Sequence, residues 1–266
     1  ATLDSELKSI GRRLVTCGMH VHVGIEDPDL RIDVMNQVTY FLPHLLAFST
    51  SSPFWDGYDT GLKSYRVSVF DGLPRTGLPE TFESYAQYER FVAALVDVGI
   101  IQDSTKLWWD IRPNPKFPTL ELRIADVCTR LDDGIAIAAL YVCLVRMLLR
   151  LRRKNRRWRL YFQALLKENR WRSQRYGLDQ GLVDFGVRKL VPWGNLVEEL
   201  IGLVWSEAKE IDCVEEIGHL RTIYERGTSA HWQLQTYKQS RAGGMEHAEA
   251  MQAVVDMLLR ATVSDL

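Results

Sequence analysis

The sequence predicts an α+β fold: an antiparallel sheet with an open ligand-binding face, packed by helices and followed by a helical C-terminal portion. Three observations predict it. Met19-His20-Val21-His22-Val23 alternates apolar side chains with imidazoles, and Thr119-Leu120-Glu121-Leu122-Arg123-Ile124 alternates just as cleanly. Residues i and i+2 of a strand share one face. His20 and His22, like Glu121 and Arg123, would therefore stand away from Met19, Val21, Val23, Leu120, Leu122 and Ile124. Beyond residue 130 the apolar residues recur at three- and four-residue spacing instead, the period of a helix.

The elements follow in order. The chain opens at Ala1 with a helix-like pattern, Leu3, Leu7, Ile10 and Leu14, and enters the His-x-His strand almost at once, so an upstream segment is expected before it. Ile25 to Asp29 is a loop in which Asp29 suits the N-cap of the next helix. Residues 30–49 read as one helix bent at Pro43. Ser49 to Pro79 reads as a long loop rich in Gly, Pro and aromatics, a length that usually carries function. Among its cations Lys63, Arg66 and Arg75, Arg66 is the best candidate for gripping an anion; an irregular lid packed by its own aromatics is the plainer alternative. Residues 83–98 form an amphipathic helix with Tyr85, Tyr88, Phe91, Val92, Leu95 and Val96 on its stripe. Trp108 to Pro113 then leads through a turn into the Glu-x-Arg strand.

Asp132 or Asp133 suits the cap of a long helix running to about residue 154. It passes into the basic run Arg150 to Arg159, which fits a solvated helix C-terminus better than a nucleic-acid site, because the rest of the chain is not basic. Residues 160–180 hold another helix and a turn, with Asn169, Arg172 and Tyr176 on a shared face. Helices over 194–210, 213–226, 231–240 and 245–262 close the chain. There is no internal repeat or low-complexity linker, and residues 1–266 read as a single catalytic domain lacking an upstream N-terminal segment.

The 266 residues carry a net charge of −1, with 46% hydrophobic and 25% charged residues, ordinary for a globular chain. Near neutrality offers no argument for nucleic-acid or membrane partners. No apolar run reads as a bilayer span, and no signal peptide is recognised. Cys17, Cys128, Cys143 and Cys213 are scattered and read as reduced thiols of a cytoplasmic protein. P-loop, dinucleotide-binding, nucleophile-elbow and His-Glu-x-x-His motifs are all missing. What remains is a set of ligand-type groups on strands. Imidazole and carboxylate can hold a divalent cation, and a guanidinium can clamp a phosphate or carboxylate. Each alternation taken alone also fits a polar outer face or a cross-strand ion-pair ladder.

Several longer motifs resemble a known family. Gly18-Met19-His20-Val21-His22-Val23-Gly24, Ser51-Ser52-Pro53-Phe54-Trp55, Asp59 to Arg66, Trp109-Asp110-Ile111-Arg112-Pro113-Asn114-Pro115, Thr119 to Asp126, Glu168 to Gly177 and Gly227-Thr228-Ser229-Ala230 resemble the carboxylate–amine ligases of the glutamate–cysteine ligase type 2 family. The resemblance covers essentially the whole chain. That family is related to glutamine synthetase, so the resemblance implies a glutamine synthetase-like catalytic fold and an ATP-dependent ligation through an acyl phosphate.

By the same resemblance His20 and Glu121 would be ligands of Mg²⁺ or Mn²⁺. His22, Arg112 and Arg123 would bind the nucleotide, and Arg123, Arg112 and Arg66 would be catalytic, with Arg66 facing the carboxylate substrate. Implied substrates are glutamate and an amine such as cysteine, in a cytoplasmic enzyme. Glu121→Gln and Arg123→Ala are expected to abolish turnover and spare the fold. Relatives carry upstream acidic strands that nothing before His20 matches, since Asp4 and Glu6 lie on the opening helix pattern. A non-catalytic protein binding nucleotide or a partner is therefore the alternative. Trp193, Trp205 and Trp232 leave a homo-oligomer open, and core packing explains them equally well.

Overall fold

The computed structural model describes residues 15–264, so the Leu3–Leu14 pattern lies outside the described residues. β1 (Val21–Gly24) follows a bridge between Gly18 and Asp126. Asp27 then caps α1 (Pro28–Val38), its Oδ1 accepting the Leu30 N–H at 2.9 Å. The cap is therefore not Asp29, whose carboxylate accepts the Tyr85 N–H instead. A 3₁₀ turn at Thr39–Phe41 separates α1 from α2 (Leu42–Ser49). The helix expected to bend at Pro43 is thus two helices. Pro43 opens the second, in a first turn that needs no donor from it.

The stretch read as a long loop is more ordered than expected. β2 (Phe54–Trp55) and β3 (Tyr58–Asp59) form a hairpin around Asp56 and Gly57, both at positive φ. α3 (Tyr65–Asp71) and β4 (Thr76–Gly77) follow. α4 (Tyr85–Asp97) is capped by Ser84, whose side chain accepts the Gln87 N–H. β5 (Trp108–Trp109) pairs parallel with β4, and β6 (Ile111–Pro113) and β7 (Thr119–Leu122) complete the strands of this half.

α5 (Leu131–Arg153) begins after Arg130, with Asp132 and Asp133 in its first turn rather than at its cap. Asp133 is instead held by Arg226 and His219. α6 (Gln163–Tyr176), a hairpin of β8 (Leu182–Asp184) and β9 (Lys189–Val191), α7 (Trp193–Glu210), α8 (Val214–Arg226), α9 (Ser229–Ala242) and α10 (His247–Thr262) follow. α5 is long and apolar enough to cross a membrane by length and composition, with a window of mean hydropathy 2.0, against the reading that no run is. Its packing accounts for that character. It touches α1, α2, α7, α8 and β1, and it buries Ile137, Leu140, Tyr141, Leu144 and Leu148 completely.

The three-stranded sheet has the order β1-β7-β6, antiparallel throughout. Ile111, Leu120 and Leu122 are fully buried on one face, and the Tyr141 hydroxyl of α5 donates to the Leu120 carbonyl across it at 3.1 Å. The other face carries the polar set. Of the tryptophans that left an oligomer open, Trp193 is buried in the core, whereas Trp205, packed against the core under Lys209, and Trp232, beneath the Arg226 guanidinium, are partly exposed. All four cysteines are free thiols.

Candidate active site

The strand register brings three predicted residues into one row. His22 pairs with Glu121 across β1 and β7, and Arg112 pairs with Glu121 across β6 and β7. Side chains of paired positions stand side by side on one face. Glu121 occupies the centre and is buried. Its Oε2 accepts from Arg112 Nε and from Asn114 Nδ2, both at 3.1 Å. Its Oε1 accepts from Arg123 Nη1 at 2.5 Å and lies 3.3 Å from His20 Nδ1. Thr119 Oγ1 holds His22 Nδ1 at 3.0 Å, leaving His22 Nε2 4.0 Å from the same carboxylate oxygen.

The charges decide the protonation states. Burial raises the Glu121 pKa, but Arg112 and Arg123 outweigh it and the carboxyl falls to about 2. His20 moves down to about 4, because burial and then Arg123 disfavour its cation more than Glu121 favours it. At neutral pH the cluster is one carboxylate between two guanidiniums, flanked by a neutral imidazole.

Arg66 and Arg112 are fastened into the walls. Arg66, on α3, donates from Nε to Asp126 Oδ1 at 2.7 Å and from Nη2 to the carbonyls of Arg123 and Ile124. A Cβ at Gly18 would stand 3.0 Å from Arg66 Nη1, so this glycine, in the bridge ahead of β1, makes room for the guanidinium. Asp126 also accepts from Ser51 N–H, Ser52 Oγ and Ser64 Oγ, which pins the segment leading to α3 against the end of β7. Arg112 Nη1 donates to the carbonyls of Thr105 and Leu107, both at 2.8 Å.

Two charged residues that sequence reasoning left without a role complete the wall. Arg170 on α6 is buried and donates to Asp110 Oδ2 from Nε at 2.6 Å and to both oxygens of Asp71 at 2.8 Å. Asp110 in turn accepts the Arg123 and Ile124 N–H groups through its carbonyl, at 2.8 and 3.0 Å. The expected face of Asn169, Arg172 and Tyr176 turns elsewhere: Asn169 exchanges hydrogen bonds with Val183. The Trp-Asp-Ile-Arg-Pro-Asn motif held the missed signal, since Asp110, Arg112 and Asn114 all serve the cluster.

His20, Arg66, Asp110, Arg123 and Arg170 line a cavity of 20 Å³. The Nε of Arg123 is buried there without a hydrogen-bond partner, and a buried donor left unpaired costs roughly 1–3 kcal/mol. An acceptor oxygen would satisfy it, such as one carried by a bound anion. The fit for a divalent cation is poorer. His20 Nδ1 and Glu121 Oε1 are spaced as neighbouring ligands would be, but both Glu121 oxygens already accept from arginine. Among the described residues no group of three or more His, Cys, Asp or Glu side chains could hold a metal. Mg²⁺ demands near-octahedral oxygen coordination, which this pair does not supply.

The family model described as "Glutamate-cysteine ligase family 2" matches residues 2–256. The chain belongs to that family. A protein of Rhodospirillum rubrum with the name "Putative glutamate--cysteine ligase 2" is 62% identical over 264 residues, which make up 99% of this chain and 68% of that relative. A protein of Jannaschia sp. bearing the same name is 52% identical over 257 residues, 97% of this chain and 68% of its own. Among solved structures, the glutamate–cysteine ligase of Francisella tularensis in complex with AMP superposes with a TM-score of 0.56 at 12% identity. That match covers 90% of this chain and 59% of the other, and it shows a shared fold. The expected α+β class and the family resemblance both hold.

Proposed function

We propose that this chain carries the catalytic sheet of an ATP-dependent carboxylate–amine ligase of the glutamate–cysteine type. The observation that carries the reading is the row His22–Glu121–Arg112, with Arg123 beside it and its Nε unpaired in a cavity, inside a chain of this family. The AMP bound by the Francisella tularensis ligase supports a nucleotide here. In this reading the glutamate γ-carboxylate attacks the γ-phosphorus of ATP and ADP leaves. The neutral amine nitrogen then attacks the acyl carbon, the C–O bond to phosphate breaks, and the proton the amine loses passes to the departing phosphate. Arg123 offers its free donor to the transferring phosphoryl oxygens. Glu121 holds Arg112 and Arg123 in place, and Arg66 shapes the floor through Asp126. Such catalysis is positioning and neutralisation of phosphate charge. Mg²⁺ or Mn²⁺ enters as a companion of the ATP phosphates and not as an ion held by His20 and Glu121 alone. A cytoplasmic setting suits the free thiols.

The test is ADP release from the full-length protein with ATP, Mg²⁺, glutamate and a panel of amines including cysteine. ADP and a glutamyl amide formed in equal amounts is the expected result; no ADP with any amine overturns the reading. One observation favours a second reading, a non-catalytic nucleotide- or partner-binding protein: most donors of Arg66 and Arg112 are already spent on Asp126, Glu121 and backbone carbonyls. ATP binding in calorimetry without turnover would establish it.

A further inference from the structure

A second cavity shares no residue with the one at His20 and Arg123. It lies where the 3₁₀ turn at Thr39–Phe41 and α2 meet β8 and α7, and its 10 Å³ is the room of about one water-sized group. Aromatic rings form one wall: Trp158 lies 5.6 Å from Tyr40 and 4.9 Å from Phe41, centre to centre. Leu182, Leu196 and Leu200, all buried, complete the apolar lining.

The polar groups of the lining have no partners of their own. His44 is 4% exposed, and its Nδ1 is enclosed without a hydrogen-bond partner. Burial holds the ring neutral at pH 7, with a pKa of about 4. Asp184 and Glu199 bring two carboxylates to the same cavity. Asp184 Oδ1 accepts the Gly186 and Val187 N–H groups at 2.7 and 3.1 Å, but neither carboxylate makes an ion pair among the described residues. The two sense each other, since burial and then Asp184 raise the Glu199 pKa. The cations nearby stand outside the lining: Lys189 is exposed across the hairpin from Asp184, and Arg159 lies over the far ring of the Tyr40–Tyr161 stack. Two unpaired carboxylates, an orphaned imidazole nitrogen and aromatic faces complement a cation. An anion would meet two like charges. No group of three or more His, Cys, Asp or Glu among the described residues is placed to hold a metal ion.

We propose that this pocket binds the primary ammonium head of an aliphatic amine, its N–H donors on His44 and Asp184 and its alkyl chain along the aromatic and leucine wall. The room at the head admits an ammonium and excludes a guanidinium or a quaternary ammonium. Glu199, exposed on α7, stands at the mouth. A diamine therefore suits the pocket best, because its second ammonium balances the second carboxylate. This amine is not a reactant, and the proposal does not rest on the ligase reading.

Calorimetry on the full-length protein at fixed ionic strength tests it, with no need of turnover. Diaminobutane is the probe, and butylamine, tetramethylammonium and potassium chloride are run beside it. Diaminobutane should bind, butylamine should bind about tenfold more weakly, and neither tetramethylammonium nor K⁺ should compete. Glu199→Gln should weaken diaminobutane by about tenfold, the loss of one charge-assisted contact. Asp184→Asn, which keeps an acceptor for the Gly186 N–H, should do the same. Glu199 is exposed, so Glu199→Gln should keep the urea midpoint of the wild type and read binding alone even if Asp184→Asn disturbs the hairpin. No diaminobutane bound by the wild type, or unchanged affinity in Glu199→Gln, overturns the proposal whether or not ADP is released in the ligase assay. Competition by K⁺ as strong as that by butylamine overturns it too, and assigns the pocket to an inorganic cation.

Discussion

His20 Nδ1 lies 3.3 Å from Glu121 Oε1, yet the two do not form an ion pair at neutral pH. Burial and the neighbouring Arg123 hold the imidazole pKa down to about 4. The positive charge that neutralises Glu121 comes from Arg112 and Arg123 instead. The carboxylate is therefore a keystone between guanidiniums, and the histidine is a neutral neighbour.

Glu121→Gln is expected to cost about 3–5 kcal/mol of stability, the range for removing one partner of a buried ion pair, because Arg112 and Arg123 lose their counter-charge. This reverses the expectation from the sequence that the substitution spares the fold. The check is the urea midpoint at pH 7 beside the activity. An unchanged midpoint would show that the guanidiniums find other partners. The His20 titration, followed by NMR, should move further down in the variant, since Glu121 is the group that raises it.

Acid should weaken the fold through two histidines before it reaches the carboxylates. His44 is fully enclosed, and burial lowers its pKa from 6.5 to about 4, like that of His20. Unfolded, both rings take up a proton below pH 6.5; folded, they resist until about pH 4. The unfolded chain holds more protons across that window, so stability is complete above it and is lost as pH falls from 6.5 to 4. His44 contributes on the order of 3 kcal/mol, and half-exposed His20 less because solvent screens it. Glu121, depressed to about 2, extends the loss below pH 4.5. Urea midpoints measured from pH 7 to pH 4 should fall less steeply in His44→Phe than in the wild type. Equal slopes would remove His44 from the account.

Arg170→Ala should destabilise the protein by about 3–5 kcal/mol, because it strands the buried Asp110 carboxylate. Adding Asp110→Asn to that variant should recover part of the loss, with a coupling of roughly 0.5–3 kcal/mol typical of contacting pairs. Strict additivity in thermal melts would mean that Arg170 acts through Asp71 alone.

The legible part of this molecule is the local part. Two-residue alternation marked the strands of His22 and Glu121, because the core face of each is apolar without interruption. Strand pairing is not written locally, so nothing in the sequence put Arg112 in the row with Glu121. Arg66 reads as a free cation because its stretch lacks a helical period long enough to notice, and its partner Asp126 stands 60 residues away. The break at Thr39–Phe41 escapes notice because those residues keep the apolar spacing of the helices on either side. β8 and β9, at three residues each, are too short to show a period at all.

Gly181 and Gly202 should respond to alanine in opposite directions. A Cβ at Gly181 would fall 1.7 Å from the Val191 carbonyl oxygen and 2.9 Å from Pro192 Cα. Both obstacles are backbone, at the point where β9 runs into α7, so no side-chain rotation relieves the clash. Gly181→Ala must push that junction away from the start of β8, and it disturbs two hydrogen bonds that dock the hairpin, Arg172 Nε to the Gly181 carbonyl and Trp193 Nε1 to the Gln180 carbonyl. A loss of about 3 kcal/mol or more is expected. Gly202 lies within α7 with nothing within 4 Å of its would-be Cβ. Alanine there removes backbone freedom from the unfolded chain at no steric cost, and about 1 kcal/mol of added stability is expected. Urea midpoints of the two variants, measured side by side, check both signs. A neutral Gly181→Ala would mean that β9 and α7 can part from β8 without cost.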